Sequence, residues 1–281
     1  IVVDDCSPDP AADAVADLHD GPIPLRVVRH EVNRGAPAAR NTGIEHAEGE
    51  FVAFIDDDDT WAPEKLERQL EVFEASPPDV GVVYTGQRYT LDDETLEVLT
   101  PTTRGDVTRP LLSGAPLGTF STLMVRSSVV EATGGLDERF PCWQDREWPI
   151  RLSQHCLVDS VAEPLVVHRM GDHGQITDDF ETKRDVAYPL FVETFRPLAA
   201  EYGPAVERRL VSTRANFVAA SALKADRYGD ARRFALRAVR ADPTDHEGYL
   251  LFAVALGGRP LFRTLQRAKR AVSGRLLTDR G

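Results

Sequence analysis

FVAFIDDDDTWAPEKLERQL, residues 51–70, decides how the rest of the sequence is read. An apolar run over 51–55 ends in four consecutive aspartates, Asp56, Asp57, Asp58 and Asp59. A short unbroken apolar run between turn signals has the length of a buried strand, which puts the aspartates at its carboxyl end. The ordinary use of an acid there is to cap the next helix. Asp59 or Thr60 precedes a helical segment starting near Pro63, and proline suits a first turn. Capping occupies one carboxylate. Asp56, Asp57 and Asp58 stay crowded, and like charges repel. A divalent cation of the Mg2+ or Mn2+ kind would relieve them, because both prefer carboxylate oxygens. A plainly solvated loop is the alternative, and the residues alone leave both open.

Working outward, residues 1–3, 25–30 and 81–84 read as further apolar strands, separated by helical stretches over 38–47 and 63–76. Alternating strands and helices with apolar strands predict a parallel sheet covered on both faces. Ligands of such sheets bind beyond the carboxyl ends of the strands. A second acidic pair, Asp4 and Asp5, ends the first strand, so two strands aim carboxylates at one crevice. Residues 86–110 have hairpin character, and 121–126, 157–161 and 164–168 read as strands. Past about residue 180 strand signals vanish. Helices are expected over 180–202, 206–224, 228–241 and 246–256. The expected division is an α/β domain over 1–178 and an α-helical region over 179–281. Residues 230–258 weakly resemble a single tetratricopeptide-type unit.

A net charge of −12 argues against a general nucleic-acid binder. Cys6, Cys142 and Cys156 show neither metal-ligand spacing nor a disulfide framework, as expected of a reducing compartment. No apolar run is long enough to predict a membrane span. The stretch 261–281 is distinct, with six basic residues against Asp279. It could lie on an anionic membrane surface or pack as a basic helix on an acidic body.

Three segments together, IVVDDCSPD, HEVNRGAPAARNTGIEHAEGEFVAFIDDDDTWAPEKLERQL and GGLDERFPCWQDREWPIRL, resemble family 2 of the inverting glycosyltransferases. The resemblance covers roughly residues 1–175 and rests on the order and spacing of the set. It implies a GT-A (Rossmann-like) α/β domain with a mixed central sheet that binds a nucleotide-diphosphate sugar, followed here by the helical C-terminal region. Members normally carry another strand and loop ahead of the first acidic pair, so the chain is expected to lack that strand.

Through the resemblance, Asp4, Asp5, Arg40 and Asp57 are expected on the nucleotide side, with Asp5 the base contact. Arg40 suits phosphate because its fork matches the oxygens. Asn33 and Gly35 are expected to shape the loop. Asp58 and Asp56 are the expected metal ligands for Mg2+ or Mn2+, with His173 a further candidate. Asp145 takes the position of the general base, close to the positive end of a helix expected to begin near Arg146, whose dipole favours a carboxylate; a plain helix cap is the alternative. Gln144 stands where the family usually has glutamate. Trp143, Gln144 and Trp148 are expected on the acceptor side, one tryptophan stacking on the acceptor and the other packing in the core. His168 is expected to be structural, and Trp61 a packing residue.

The activity implied is metal-assisted, inverting transfer of a sugar, with UDP-sugar favoured over GDP-sugar as donor. The acceptor implied is a hydroxyl of a glycan, a polyprenyl-linked or a protein-linked molecule. The site implied is the cytoplasm, peripheral at the membrane through 261–281. A non-catalytic nucleotide-sugar-binding or scaffold protein is the alternative. A Rossmann oxidoreductase is excluded because no GxGxxG follows a strand.

Overall fold

The computed structural model describes residues 1–18, 23–91, 94–170 and 179–278. Strand β1 (Val2–Asp4) is followed by a helical turn α1 (Ala11–Ala14), β2 (Val27–Arg29), helix α2 (Ala36–Glu45), β3 (Phe51–Ala53), β4 (Asp59–Trp61) and α3 (Lys65–Ala75). A hairpin of β5 (Val80–Leu91) and β6 (Glu94–Leu99) comes next. After it come α4 (Thr108–Leu112), β7 (Leu123–Arg126), α5 (Ser127–Thr133), α6 (Gln144–Leu152) and the long β8 (Leu157–Arg169).

β1 and β2 pair in parallel as a two-stranded sheet of their own, with Asp4 opposite Arg29. The second sheet has the order β3-β7-β5-β8-β4, with β6 on β5. Its β5–β8 pair is parallel, and the β3–β7, β5–β7, β4–β8 and β5–β6 pairs are antiparallel. The expectation of an all-parallel sheet is therefore corrected, and the mixed sheet expected of a GT-A fold is what forms. The cause is β7. It follows a run of loops and a short helix rather than a crossover helix, and it inserts antiparallel between β3 and β5. The first eight residues of β5 are all buried, as a strand covered on both faces requires.

The main core packs Val82, Tyr84, Leu123 and Val125 of the sheet against Leu111, Leu112, Val129, Ile150 and Leu152 of the covering helices. Trp148 lies at its centre, fully buried. Its ring stands edge-on to Phe54 at 5.5 Å and stacks with Phe120 at 6.0 Å, and its Nε1 donates to the Gly134 carbonyl at 3.1 Å. This corrects the expectation of Trp148 on the acceptor side: its indole has no face left for a ligand.

The C-terminal region begins with α7 (Phe180–Thr182) and a π-helical stretch, Lys183–Ala187. It continues through α8 (Tyr188–Glu201), α9 (Pro204–Lys224), α10 (Tyr228–Ala241) and α11 (His246–Thr278). The main core does not stop at the change in composition. Phe191, Phe195 and Ala199 of α8, with Val206 and Leu210 of α9, belong to it. A second cluster joins the later part of α9 to α10 and α11. Trp143 packs against both. α11 runs past the end expected for it and bends at Gly258, whose φ of 63° only a glycine adopts without strain. The side chains of 265–281, most of the basic stretch, lie outside the described residues.

If Trp148 is core and not a ligand platform, Trp148→Ala should cost about 3–5 kcal/mol of folding stability. Denaturant unfolding measures this; an unchanged midpoint would return the residue to the surface.

Candidate active site

The four aspartates after β3 do four different things. Asp56 is held from both sides. Its N–H donates to Ser121 Oγ at 3.0 Å, and its carboxylate pairs with Arg40 of α2 at 2.5 Å. Arg40 is fixed in turn over the Phe120 ring, 4.0 Å from its centroid. Asp57 and Asp58 are exposed. Asp59 does not cap α3, whose N-cap is Glu64 and has no side-chain cap. It belongs to β4, faces His168 across the β4–β8 ladder, and is buried.

The His168 Nδ1 lies 2.6 Å from Asp59 Oδ1, while Asp59 Oδ2 is buried without a hydrogen-bond partner. Ligand atoms of Asp58, Asp59 and His168 lie within 4.8 Å of one another. Partial burial and the neighbouring Asp59 charge push the Asp58 carboxyl up. The hydrogen bond to Asp59 raises the His168 imidazole against the opposing effect of burial. Two carboxylates and an imidazole with an orphaned buried oxygen form a donor set suited to a divalent cation such as Mn2+.

The loop carrying these acids is anchored from below. Trp61 Nε1 donates to the Ser121 carbonyl at 2.8 Å. Lys65 Nζ sits 4.0 Å from the Trp61 ring centroid and donates to Gln69 Oε1 at 2.7 Å. Gln69 Nε2 reaches the carbonyls of Val83 and Thr122, at 2.7 and 3.0 Å. Lys65 is fully buried, and burial draws its ammonium down to about 7.

β1 brings the other two acids. Asp4 faces inward. It accepts from the N–H groups of Ser7 and Ala11, at 2.8 and 2.9 Å, and pairs with Arg29. Those backbone hydrogen bonds hold its carboxyl far below the usual range. With its side chain enclosed and engaged by these groups, Asp4 is corrected from a nucleotide contact to a turn-forming residue. Asp5 turns toward the loop before α2. Its Oδ1 accepts from the Arg34 N–H at 2.8 Å and meets His30 Nδ1 at 2.7 Å, and its Oδ2 accepts from the Gly35 N–H at 2.6 Å. Burial pushes Asp5 up, and these hydrogen bonds outweigh it. Gly35 is the N-cap of α2 with φ 89°, the left-handed region that favours glycine.

The third part of the site is the first turn of α6. Trp143 caps the helix in the left-handed conformation, φ 68°. Gln144 Nε2 donates back to the Phe140 carbonyl at 3.1 Å, and Asp145 pairs with Arg146 at 3.1 Å. The preceding loop is clasped to α2: the Asn41 side chain donates to the Leu136 carbonyl at 2.9 Å and accepts from the Leu136 N–H at 2.7 Å. Tyr89 of β5 links this turn to the acidic cluster. Its ring meets the His168 ring edge-on at 5.1 Å, and its phenol feels Arg146, Asp145 and Asp59.

Of the residues expected from sequence, the structure groups Asp58 with a cluster it shares with Asp59 and His168, and Asp56 with Arg40. His173 lies outside the described residues. Asp59, His168, Tyr89 and Ser121 were missed as site residues. Asp59 and His168 are 109 positions apart and meet only through strand register, so no local signal could join them.

The fold is that of the GT-A glycosyltransferases. S. aureus TarS 1-349 in complex with UDP-GlcNAc superposes with a TM-score of 0.61 at 15% identity, over 95% of this chain and 82% of that one. Mannosyltransferase PcManGT from Pyrobaculum calidifontis, in complex with GDP-Man and Mn2+, gives 0.51 at 19% identity, over 97% and 75%. The family model for Glycosyl transferase family 2 matches residues 1–131, which carry β1, α2 and the acidic loop. Over that segment, just under half of the chain, the sequence is similar to glycosyl transferase family 2. An uncharacterized glycosyltransferase of Haemophilus influenzae is 28% identical over 156 residues, 55% of this chain and 51% of that protein. The putative teichuronic acid biosynthesis glycosyltransferase TuaG of Bacillus subtilis is 46% identical over 71 residues, 25% of this chain and 28% of that protein. The chain thus spans about half or less of these curated relatives.

The buried Lys65 supplies a test of the anchor. Its folded pKa of about 7 lies below the unfolded value, so the unfolded chain binds more protons between that pH and the ordinary lysine range. Stability of the parent relative to Lys65→Met should therefore rise as pH increases from 7 toward 10, and stay level below 7. Thermal melts across that range read the difference; parallel curves would show the ammonium to be solvated.

Proposed function

We propose that the protein is an inverting glycosyltransferase that moves a sugar from a nucleotide-diphosphate donor, UDP-sugar by preference, to a hydroxyl of a cell-surface glycan or its lipid-linked precursor. The observation that carries the reading is the Asp58–Asp59–His168 cluster with its unbonded Asp59 oxygen, whose two aspartates lie inside the segment that matches the family. Asp58, Asp59 and His168 would hold the cation, which when bound offsets negative charge on the diphosphate as it leaves. In this reading His168 supplies an imidazole to the cation, in addition to the His173 expected from sequence.

Asp5, which braces the loop ahead of α2, would meet the nucleoside. Arg40, which is charge-paired with Asp56, would meet phosphate oxygens. Asp145 at the start of α6 accepts the proton of the acceptor hydroxyl as that oxygen forms its bond to the anomeric carbon. The bond from that carbon to the diphosphate oxygen breaks on the opposite face, and the nucleoside diphosphate leaves with the electron pair. One displacement inverts the configuration without a covalent enzyme intermediate. Gln144 keeps a hydrogen bond to the backbone where charge is absent. Among the described residues no helix is long and apolar enough to cross a membrane. The biosynthetic role named for the Bacillus subtilis relative supports a cell-surface glycan as acceptor.

Calorimetric titration with UDP, with and without Mn2+, tests the donor half. Asp58→Ala and His168→Ala should each lose the metal-dependent part of UDP binding. Asp145→Asn should bind UDP as the parent does and lower turnover by about 10²–10⁴-fold. UDP release from a panel of UDP-sugars measures it, and undiminished release by Asp145→Asn would overturn the assignment of the base.

A further inference from the structure

The first turn of α6 is gripped by the C-terminal helices, and the grip centres on one unusual residue. Arg214 of α9 is buried to 1% exposure, and its Nε and Nη1 have no hydrogen-bond partner. Its guanidinium lies 4.1 Å from the centroid of Phe191, 5.4 Å from Phe217 and 5.7 Å from Trp143. Trp143 in turn packs edge-on to Phe191 at 6.0 Å and tilted against Phe217 at 6.3 Å. Arg146 also lies near Phe217, 6.0 Å from its centroid, and is paired with Asp145. Two guanidinium groups therefore share one ring, and the carboxylate of Asp145 is paired with the more exposed of them.

Stability alone gives no reason for this arrangement. A buried charge without hydrogen-bonded partners is costly, and a methionine of similar length would pack the same space at less cost. Cation–π contacts offset part of that cost. Trp143 is also strained: a bulky residue at φ 68° is a backbone outlier that persists only where its surroundings hold it. Burial draws the Arg214 guanidinium down to about 9; Arg146 pushes the same way and Asp145 opposes both. As an arginine it nonetheless stays charged at neutral pH. The charges facing Asp145 come from its neighbour Arg146, from Arg214 across the interface, and from Tyr89 and Cys142 if ionised.

We propose that Arg214 is a positioning residue for the transfer step: its charge, seated in the cage of Phe191, Phe217 and Trp143, holds the left-handed turn that presents Asp145. The C-terminal helices would then be part of the catalytic apparatus, although the family match ends at residue 131. This rests on the reading of Asp145 as base.

The test compares Arg214→Met, Arg214→Lys and Asp145→Asn in the full chain. Melting temperature, Mn2+-dependent UDP binding and UDP release from UDP-GlcNAc, UDP-glucose and UDP-galactose are measured. Hydrogen exchange over residues 143–147 supplies a readout that needs no turnover. Arg214→Met should melt at or above the parent, bind UDP equally, exchange faster over 143–147, and lose about 10- to 100-fold in kcat with KM for the donor little changed. Arg214→Lys, which keeps the charge, should recover most of the protection and turnover. Unchanged exchange in Arg214→Met would overturn the proposal. So would a fall in melting temperature with kcat per folded molecule unchanged. An active Asp145→Asn variant removes the base assignment and the proposal with it. An inactive one beside a fully active Arg214→Met variant removes the Arg214 proposal alone.

Discussion

Negative charge gathered at strand ends is the constraint that the rest of the site answers. Left alone, such acids would drive the loops apart. Four of the six are met by a specific counter-group: Arg29 for Asp4, His30 and two backbone amides for Asp5, Arg40 for Asp56, and His168 for Asp59. Asp57 and Asp58 are left exposed, and one oxygen of Asp59 is buried without a partner. The fold spends its internal cations and amides on the acids that shape loops. What is left unneutralised is concentrated at one spot, where an external cation has something to bind.

Much of this was legible in sequence because it is local. The apolar run before Asp56 and the glycine opening α2 both follow from residues within a few positions of one another, whereas Asp145 is reached through the family resemblance. The helices of the C-terminal region were legible for the same reason. The sheet was less so. Strand identity follows from composition, but strand partners follow from how loops return, and β7 returned antiparallel. The site errors share that origin. Asp59 looked like a cap because the following helix was visible, whereas β8, its true partner, lay over a hundred residues away. His168 reads as a structural residue in sequence because its partner Asp59 is brought to it only by strand register. Trp148 and Trp143 are indistinguishable as letters five residues apart. Only packing assigns one to the core and the other to the interface of two cores.

The same logic separates two kinds of buried cation. Lys65 has a defined hydrogen-bond acceptor and sits under the acidic loop as a fastening. Arg214 has aromatic faces and two unbonded nitrogens, so its contribution to cohesion is poor for its cost. A residue that is expensive to bury and weakly tied is better explained by what it does to its neighbours than by what it does for the fold.

The Asn41 clasp on Leu136 spans 95 positions and the Asp59–His168 contact 109. Contacts of such separation carry a large loop-closure cost and form late in folding. During synthesis the acidic loop is therefore made long before the strand that completes it. The half-made protein presents its aspartates as an open, solvated loop, and the cation cluster comes into being only when residue 168 has emerged and β8 has zipped onto β5 and β4. Assembly of the cluster is thus itself a late event: the three donor groups of Asp58, Asp59 and His168 come together only in a chain that has finished its sheet.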